Sequence, residues 1–322
     1  MLLRRVRRRS LLACAALAFG IAASAAADAQ AVSVAERLVG SWTLVAVDKR
    51  VGTDAPVAAR SPRGLLVLDR AGNAFEFFSA APVRPADAAV PAGAALTFED
   101  YGGFWGRYTV DASAGVMSFS AEEGVSPSVQ GLSFSRSFAF EGDRLVVTST
   151  REPQAQGDTR WTWQHFPTVE NFSPIYREVV GFWRNVGERQ INLATGEVVR
   201  ESRRGPSVIV YTPAGFVGVH FPPMGREPFA GDAPTAEEAQ TALRGYIGYS
   251  GTLGVYPGEV AHNVLTGVGG TTGAILRRFA RIDGDELVVR IQGGRSPTGG
   301  PPTTATEVFL ERISGAEAML SR

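Results

Sequence analysis

The sequence predicts an all-β protein of two tandem antiparallel units, closed barrels with paired β-sandwiches as the alternative. Three observations carry this. Leu38-Val-Gly-Ser-Trp42 recurs as Val179-Val-Gly-Phe-Trp183, 141 residues further on. Each occurrence opens the same succession of short β-branched and aromatic runs separated by Gly and Asp turns, a strand-and-hairpin signature. Helix-like sequence is confined to one short segment. Repeats of 20 to 50 residues would mean a solenoid, whereas units near 140 mean duplicated whole domains.

In the first copy, Trp42 to Val47 and Leu65 to Leu68 are strand-like, and the turn Asp69-Arg-Ala-Gly72 leads into Ala74 to Phe78 as a hairpin. Pro82 to Ala95, rich in Ala and Pro, reads as a loop across the edge or mouth. Phe104 to Val110 and Val116 to Ser120 flank a second turn, Phe134 to Phe140 and Leu145 to Thr150 flank a third, and Trp161 to Phe166 closes the copy. The second copy repeats these elements. Ser207 to Phe221 matches the first hairpin at an offset of 143, Tyr246 to Gly251 matches Tyr101 to Gly106 at 145, and Arg278 to Leu287 matches Arg136 to Leu145 without a gap. Thr306 to Ile313 is the last strand. Thr235-Ala-Glu-Glu238 fits a capping box ahead of good helix formers, which predicts a short helix over Ala236 to Leu243 in the second copy alone. The linker near Pro167 to Pro174 is short, so the two units should touch.

Gly-x-Trp on the first strand resembles lipocalins, in which the Trp plugs the closed end of the barrel, and its duplication decides between barrels and sandwiches. The resemblance extends to the bacterial lipocalin-like domain family. Its elements stand here as Leu38 to Trp42, Arg63 to Leu68, Tyr101 to Gly106 and Arg136 to Asp143, and again as Val179 to Trp183, Pro206 to Tyr211, Tyr246 to Gly251, Val260 to His262 and Arg278 to Asp285. It implies two tandem lipocalin-like antiparallel β-barrels, at residues 33–168 and 174–316, and a small apolar or amphipathic molecule held in a barrel cavity. The first copy departs from the pattern at Phe104, in place of the second Tyr, and at Ser118, in place of the His. The second barrel is therefore the one expected to keep a polar pocket.

The first 29 residues read as an export signal: Arg4, Arg5 and Arg7 to Arg9, an apolar core from Leu11 to Ala23, then small residues suited to cleavage after Ala27 or Ala29. Arg8-Arg9-Ser-Leu-Leu12 resembles a twin-arginine signal, with ordinary secretion as the other route, and either delivers a periplasmic or secreted protein. Removing residues 1–29 takes away five of 32 basic and one of 32 acidic residues, which leaves a net charge of −4 and argues against a nucleic-acid partner. It also removes Cys14, the only cysteine, so the mature chain has neither disulfide nor thiolate chemistry. No membrane-spanning segment is expected after cleavage.

His165, His220 and His262 are the only histidines, and no two are spaced as metal ligands on one element, so no metal and no cofactor are expected. Phosphate-binding Gly loops and nucleophile elbows are missing from the sequence. Alternation places Phe134, Arg136, Phe138 and Phe140 on one strand face and Leu276, Arg278, Ala280 and Ile282 on its equivalent. An inward Arg needs a partner, because burying a lone guanidinium costs several kcal/mol. A carboxylate of the chain, a Tyr with a water, stacking on the plug Trp, and the acidic end of a ligand all qualify. His165 and Arg312 compete for the stacking role. His262 shares a face with Val260 and Val264, where it is either a hydrogen-bonded wall residue or, with a pKa near neutral, an acid or base. His262, Arg278, Tyr249, Tyr211, Tyr246 and Arg136 are the candidate ligand-binding residues. Three functions fit: ligand binding, a cofactor-independent isomerase or cyclase using His262 and Arg278, and a structural or interaction module with filled barrels.

Overall fold

The computed structural model describes residues 34–50, 57–58, 61–80, 101–149, 158–169, 172–231, 234–268, 271–292 and 302–320. The export segment and the loop over Pro82 to Ala95 lie outside the described residues.

The first unit begins with a helical turn, α1 (34–38), followed by β1 (Gly40–Arg50), β2 (Val57–Ala58), β3 (Arg63–Leu68), β4 (Asn73–Ser79), β5 (Tyr101–Asp111), β6 (Val116–Gly124), β7 (Ser133–Glu141), β8 (Arg144–Ser149) and β9 (Asp158–Phe166). Neighbours pair antiparallel in order, and β1 also pairs with β9, which closes β1 and β3 to β9 into an eight-stranded barrel with β2 added to the far end of β1. The second unit runs α2 (Pro174–Val179), β10 (Gly181–Asn192), β11 (Val198–Ser202), β12 (Val208–Tyr211), β13 (Phe216–Phe221), α3 (Ala236–Leu243), β14 (Ile247–Tyr256), β15 (Glu259–Gly267), β16 (Ile275–Asp283), β17 (Glu286–Gln292), β18 (Thr304–Gly315) and α4 (Ala316–Met319). It closes identically through β10 and β18, and β11 repeats the position of β2. Closure leaves no long free edge, the hazard of an open sheet.

Trp42 and Trp183 are buried at equivalent places, and each indole N–H donates to the carbonyl four residues upstream, Leu38 at 2.9 Å and Val179 at 2.7 Å. The short helix before each barrel thus ends on the plug, its last carbonyls satisfied by the Trp it covers. His165 meets Trp42 edge-on at 4.8 Å, and the Arg312 guanidinium lies 4.1 Å from the Trp183 ring, so each candidate contacts the plug of its own barrel, His165 without stacking. Tight hairpins gather at the Trp end because the left-handed turn positions Gly72 (φ +80°) and Gly215 (φ +84°) let the chain reverse where a side chain would be strained. Helix α3 has the predicted reciprocal cap between Thr235 and Glu238. Helix α2, unread in the sequence, starts on a Ser173 cap followed by Pro174, a recognised helix-start pair.

The two barrels touch through equivalent outer faces. Leu65, Val67, Phe75, Phe77 and Trp105 of the first pack with Val208, Val210, Phe216 and Tyr246 of the second in one shared apolar layer. The fit is uneven. A Cβ on Gly218 would come within 2.4 Å of the Phe75 ring, and one on Gly248 within 2.9 Å of Phe77, so glycines in the second face receive aromatic rings from the first. Polar groups pin the joint: Arg226 pairs with Glu123 at 2.9 Å, both nearly fully buried, and Ser314 donates to Asp69 at 2.5 Å.

Candidate functional site

Registers around the two closed sheets fix which residues correspond. Trp42 and Trp183 pair with Leu66 and Ile209, which pair in turn with Glu76 and Val219. Likewise Phe119 pairs with Tyr108 and Phe134 as His262 pairs with Leu253 and Leu276. The first-barrel counterpart of His262 is therefore Phe119. This corrects the sequence alignment, which set Ser118 against His262: Ser118 is exposed on the outer face, with its hydroxyl 2.9 Å from that of Ser135. An offset of one residue reverses the face of a strand side chain, so the error exchanged an inner position for an outer one.

Inside the second barrel, β12, β14 and β15 bring three candidates together. His262 Nδ1 lies 2.7 Å from the Tyr249 hydroxyl and Nε2 lies 3.1 Å from the Tyr211 hydroxyl, and all three side chains are buried. Burial, with the Arg278 charge adding to it, lowers the His262 pKa to about 3, so the ring is neutral. Of the two readings of His262, this geometry favours the hydrogen-bonded wall residue. Burial likewise holds both tyrosines well above the ordinary phenol range, and Arg278 opposes that shift. Arg278 stands on the inner face of β16, across from Val260, half-buried, and donates to the Arg277 carbonyl at 3.1 Å.

Two candidates fall elsewhere. Tyr246, of opposite parity to Tyr249, joins the layer between the barrels, where its hydroxyl meets Nδ1 of His220. His220 is fully buried there, and its Nε2 donates to the Glu76 carbonyl at 2.8 Å. Burial lowers its pKa to about 3. Arg136 lies inside the first barrel and is satisfied by the chain itself. Its Nη1 and Nη2 donate to the two carboxylate oxygens of Glu76 at 2.6 and 3.2 Å, with side-chain exposures of 3% and 1%. The Trp161 ring lies 4.5 Å from the same guanidinium, and Phe104, Phe119 and Phe134 surround it. Glu76 was missed because a lone Glu among the rings of Ala74-Phe-Glu-Phe-Phe78 reads as an outward position, although its place opposite Leu66 puts it on the inner face.

Among the described residues, no three His, Cys, Asp or Glu side chains gather as metal ligands, and no helix is long and apolar enough to cross a membrane.

The two closed eight-stranded barrels and their plug tryptophans define a tandem lipocalin-like protein. Residues 39–170 match the model of the lipocalin-like domain family, so the first barrel is such a domain, and the second repeats its strand order. No curated protein matches the chain. Among solved structures it is similar to a Nostoc punctiforme protein of unknown function from the DUF3598 family, at 12% identity over 86% of this chain and 97% of that one. The TM-score is 0.20, too low for that likeness to carry an argument.

Proposed function

We propose that the protein is exported and binds a small, mainly apolar molecule inside its second barrel. The observation that carries this reading is the loss of rings between equivalent inner positions. Phe138 and Trp161 of the first barrel correspond to Ala280 and Val308 of the second, and Trp163 corresponds to Leu310. The first interior is packed with aromatic rings, whereas the second carries smaller side chains at those positions beside a fixed polar cluster, which supports a ligand pocket there. The basic start, apolar core and small residues of the first 29 positions support export.

An isomerase or cyclase has weaker support. A buried imidazole with a pKa of about 3 is a poor base, and both ring nitrogens of His262 are already engaged by tyrosines. Native mass spectrometry of protein exported by its own signal tests the binding reading. An N-terminus between Ala25 and Val32 and a small-molecule adduct are expected. Ala280→Phe with Val308→Trp, which restores two aromatic side chains of the first barrel, should abolish the adduct. An adduct that survives this refilling places the ligand outside the second barrel.

A further inference from the structure

Resting on the reading that the second barrel holds a small molecule, we propose that this molecule has a single acidic head group on an apolar body, and that Arg278 receives the head group. The two barrels keep the same inward arginine and differ in what neutralises it. In the first, Glu76 on β4 takes both guanidinium nitrogens of Arg136. In the second, the position of Glu76 is held by Val219. Among the described residues, Arg278 has no carboxylate within ion-pair distance, and its one hydrogen bond goes to the carbonyl of its own neighbour. Its strand face otherwise carries Leu276, Ala280 and Ile282, and Val260 lies opposite. A half-buried guanidinium on such a surface, with no counter-charge from the chain, is placed to take an anion from outside it.

The hydroxyl cluster has the same bias. A neutral imidazole has one N–H and one lone pair. Of the two tyrosines on His262, one therefore donates to the ring and the other accepts from it. The accepting tyrosine keeps its own O–H, so whichever tautomer forms, one hydroxyl proton remains to be donated. The neutral His262 and the protonated Tyr211 and Tyr249 supply no negative charge. The interior thus offers a guanidinium and a spare hydroxyl donor with no anion of its own. Charge-assisted hydrogen bonds from such donors suit a carboxylate or sulfonate and disfavour an amine.

The test uses two probes built on the same rings, 1-anilinonaphthalene-8-sulfonate and its neutral parent N-phenyl-1-naphthylamine, titrated by fluorescence into the mature chain. The sulfonate should bind about tenfold tighter, the scale of one or two charge-assisted hydrogen bonds. Arg278→Leu should remove that preference. Val219→Glu, which supplies the carboxylate that the first barrel has, should do the same with the arginine still present. Circular dichroism and a urea midpoint confirm folding for both variants. Equal affinity of the wild-type chain for the two probes, or a sulfonate preference that survives both substitutions, overturns the acidic head group while leaving the binding reading intact. Saturable binding of neither probe overturns both.

Discussion

The two barrels share a frame and differ in how each interior handles charge. In the first, Arg136 is locked to Glu76 and enclosed by Phe104, Phe119, Phe134 and Trp161. In the second, Val219 stands for Glu76, Tyr249 for Phe104, His262 for Phe119 and Val308 for Trp161, while Arg278 is retained. The plug tryptophans, the turn glycines and the strand order are common to both, so those are what folding needs. Duplication with divergence has separated the requirement to fold from whatever selects Tyr211, Tyr249 and His262.

The largest expected effect tests whether the two arginines really differ. Glu76→Val imports the second barrel's residue and strands a buried guanidinium, which should destabilise the first barrel by about 3 to 5 kcal/mol. Arg278→Leu breaks no internal pair and should change stability by less than about 1 kcal/mol or raise it slightly. Urea unfolding followed by tryptophan fluorescence measures both. Similar losses in the two variants would mean that Arg278 has an internal partner after all, and the contrast would collapse.

A smaller effect separates the barrels by pH. His262 and His220 both belong to the second unit and both have folded pKa values of about 3, against 6.5 for the free side chain. Because the folded pKa lies below the unfolded one, this contribution is complete above pH 6.5 and is lost as pH falls towards 3. Each histidine should weaken the second barrel by about 1.4 kcal/mol per pH unit below the unfolded value. His262→Phe, which installs the first barrel's residue type, should halve that slope. Calorimetric scans at pH 7, 6 and 5 read it, and a slope that the substitution leaves unchanged would place a charge on His262 in the folded state.

Much of this fold is legible in the sequence, because a period of two along each strand and Gly-marked turns are local signals, and the duplication lets each copy check the other. The capped helix over Ala236 to Leu243 and the inward facing of Arg136, Arg278 and His262 are of that kind. The partners are not. Glu76 and Arg136 lie 60 residues apart, and His220 reaches the Glu76 carbonyl across 144. Only the register of closed sheets and the docking of one barrel on the other bring such groups together. Tyr246 illustrates the limit: the repeat assigns it correctly as the counterpart of Tyr101, yet both turn to the joint, a surface that no single-barrel pattern announces.

The smallest expected effect bears on the register that underlies the whole comparison. If Ser118 were the residue facing the first interior, as the repeat alone suggests, Ser118→Ala would delete a buried hydroxyl with its hydrogen bond and alter the stability of that barrel by about 1 kcal/mol or more. With the observed register, Ser118 pairs with Thr109 and Ser135 on the solvent face, and its hydroxyl contacts only the exposed Ser135 side chain. Water replaces such a contact at almost no cost, so Ser118→Ala should stay within about 0.5 kcal/mol of wild type. Phe119→His supplies the contrast from the adjacent residue. It places an imidazole where Leu68 and Phe104 stand in for Tyr211 and Tyr249, and without those hydroxyls the ring should cost about 1 to 3 kcal/mol in unmet hydrogen bonds, in addition to lost packing. A Ser118→Ala loss equal to that of Phe119→His would shift β6 by one residue and undo the pairing of Phe119 with His262 on which the difference between the barrels rests.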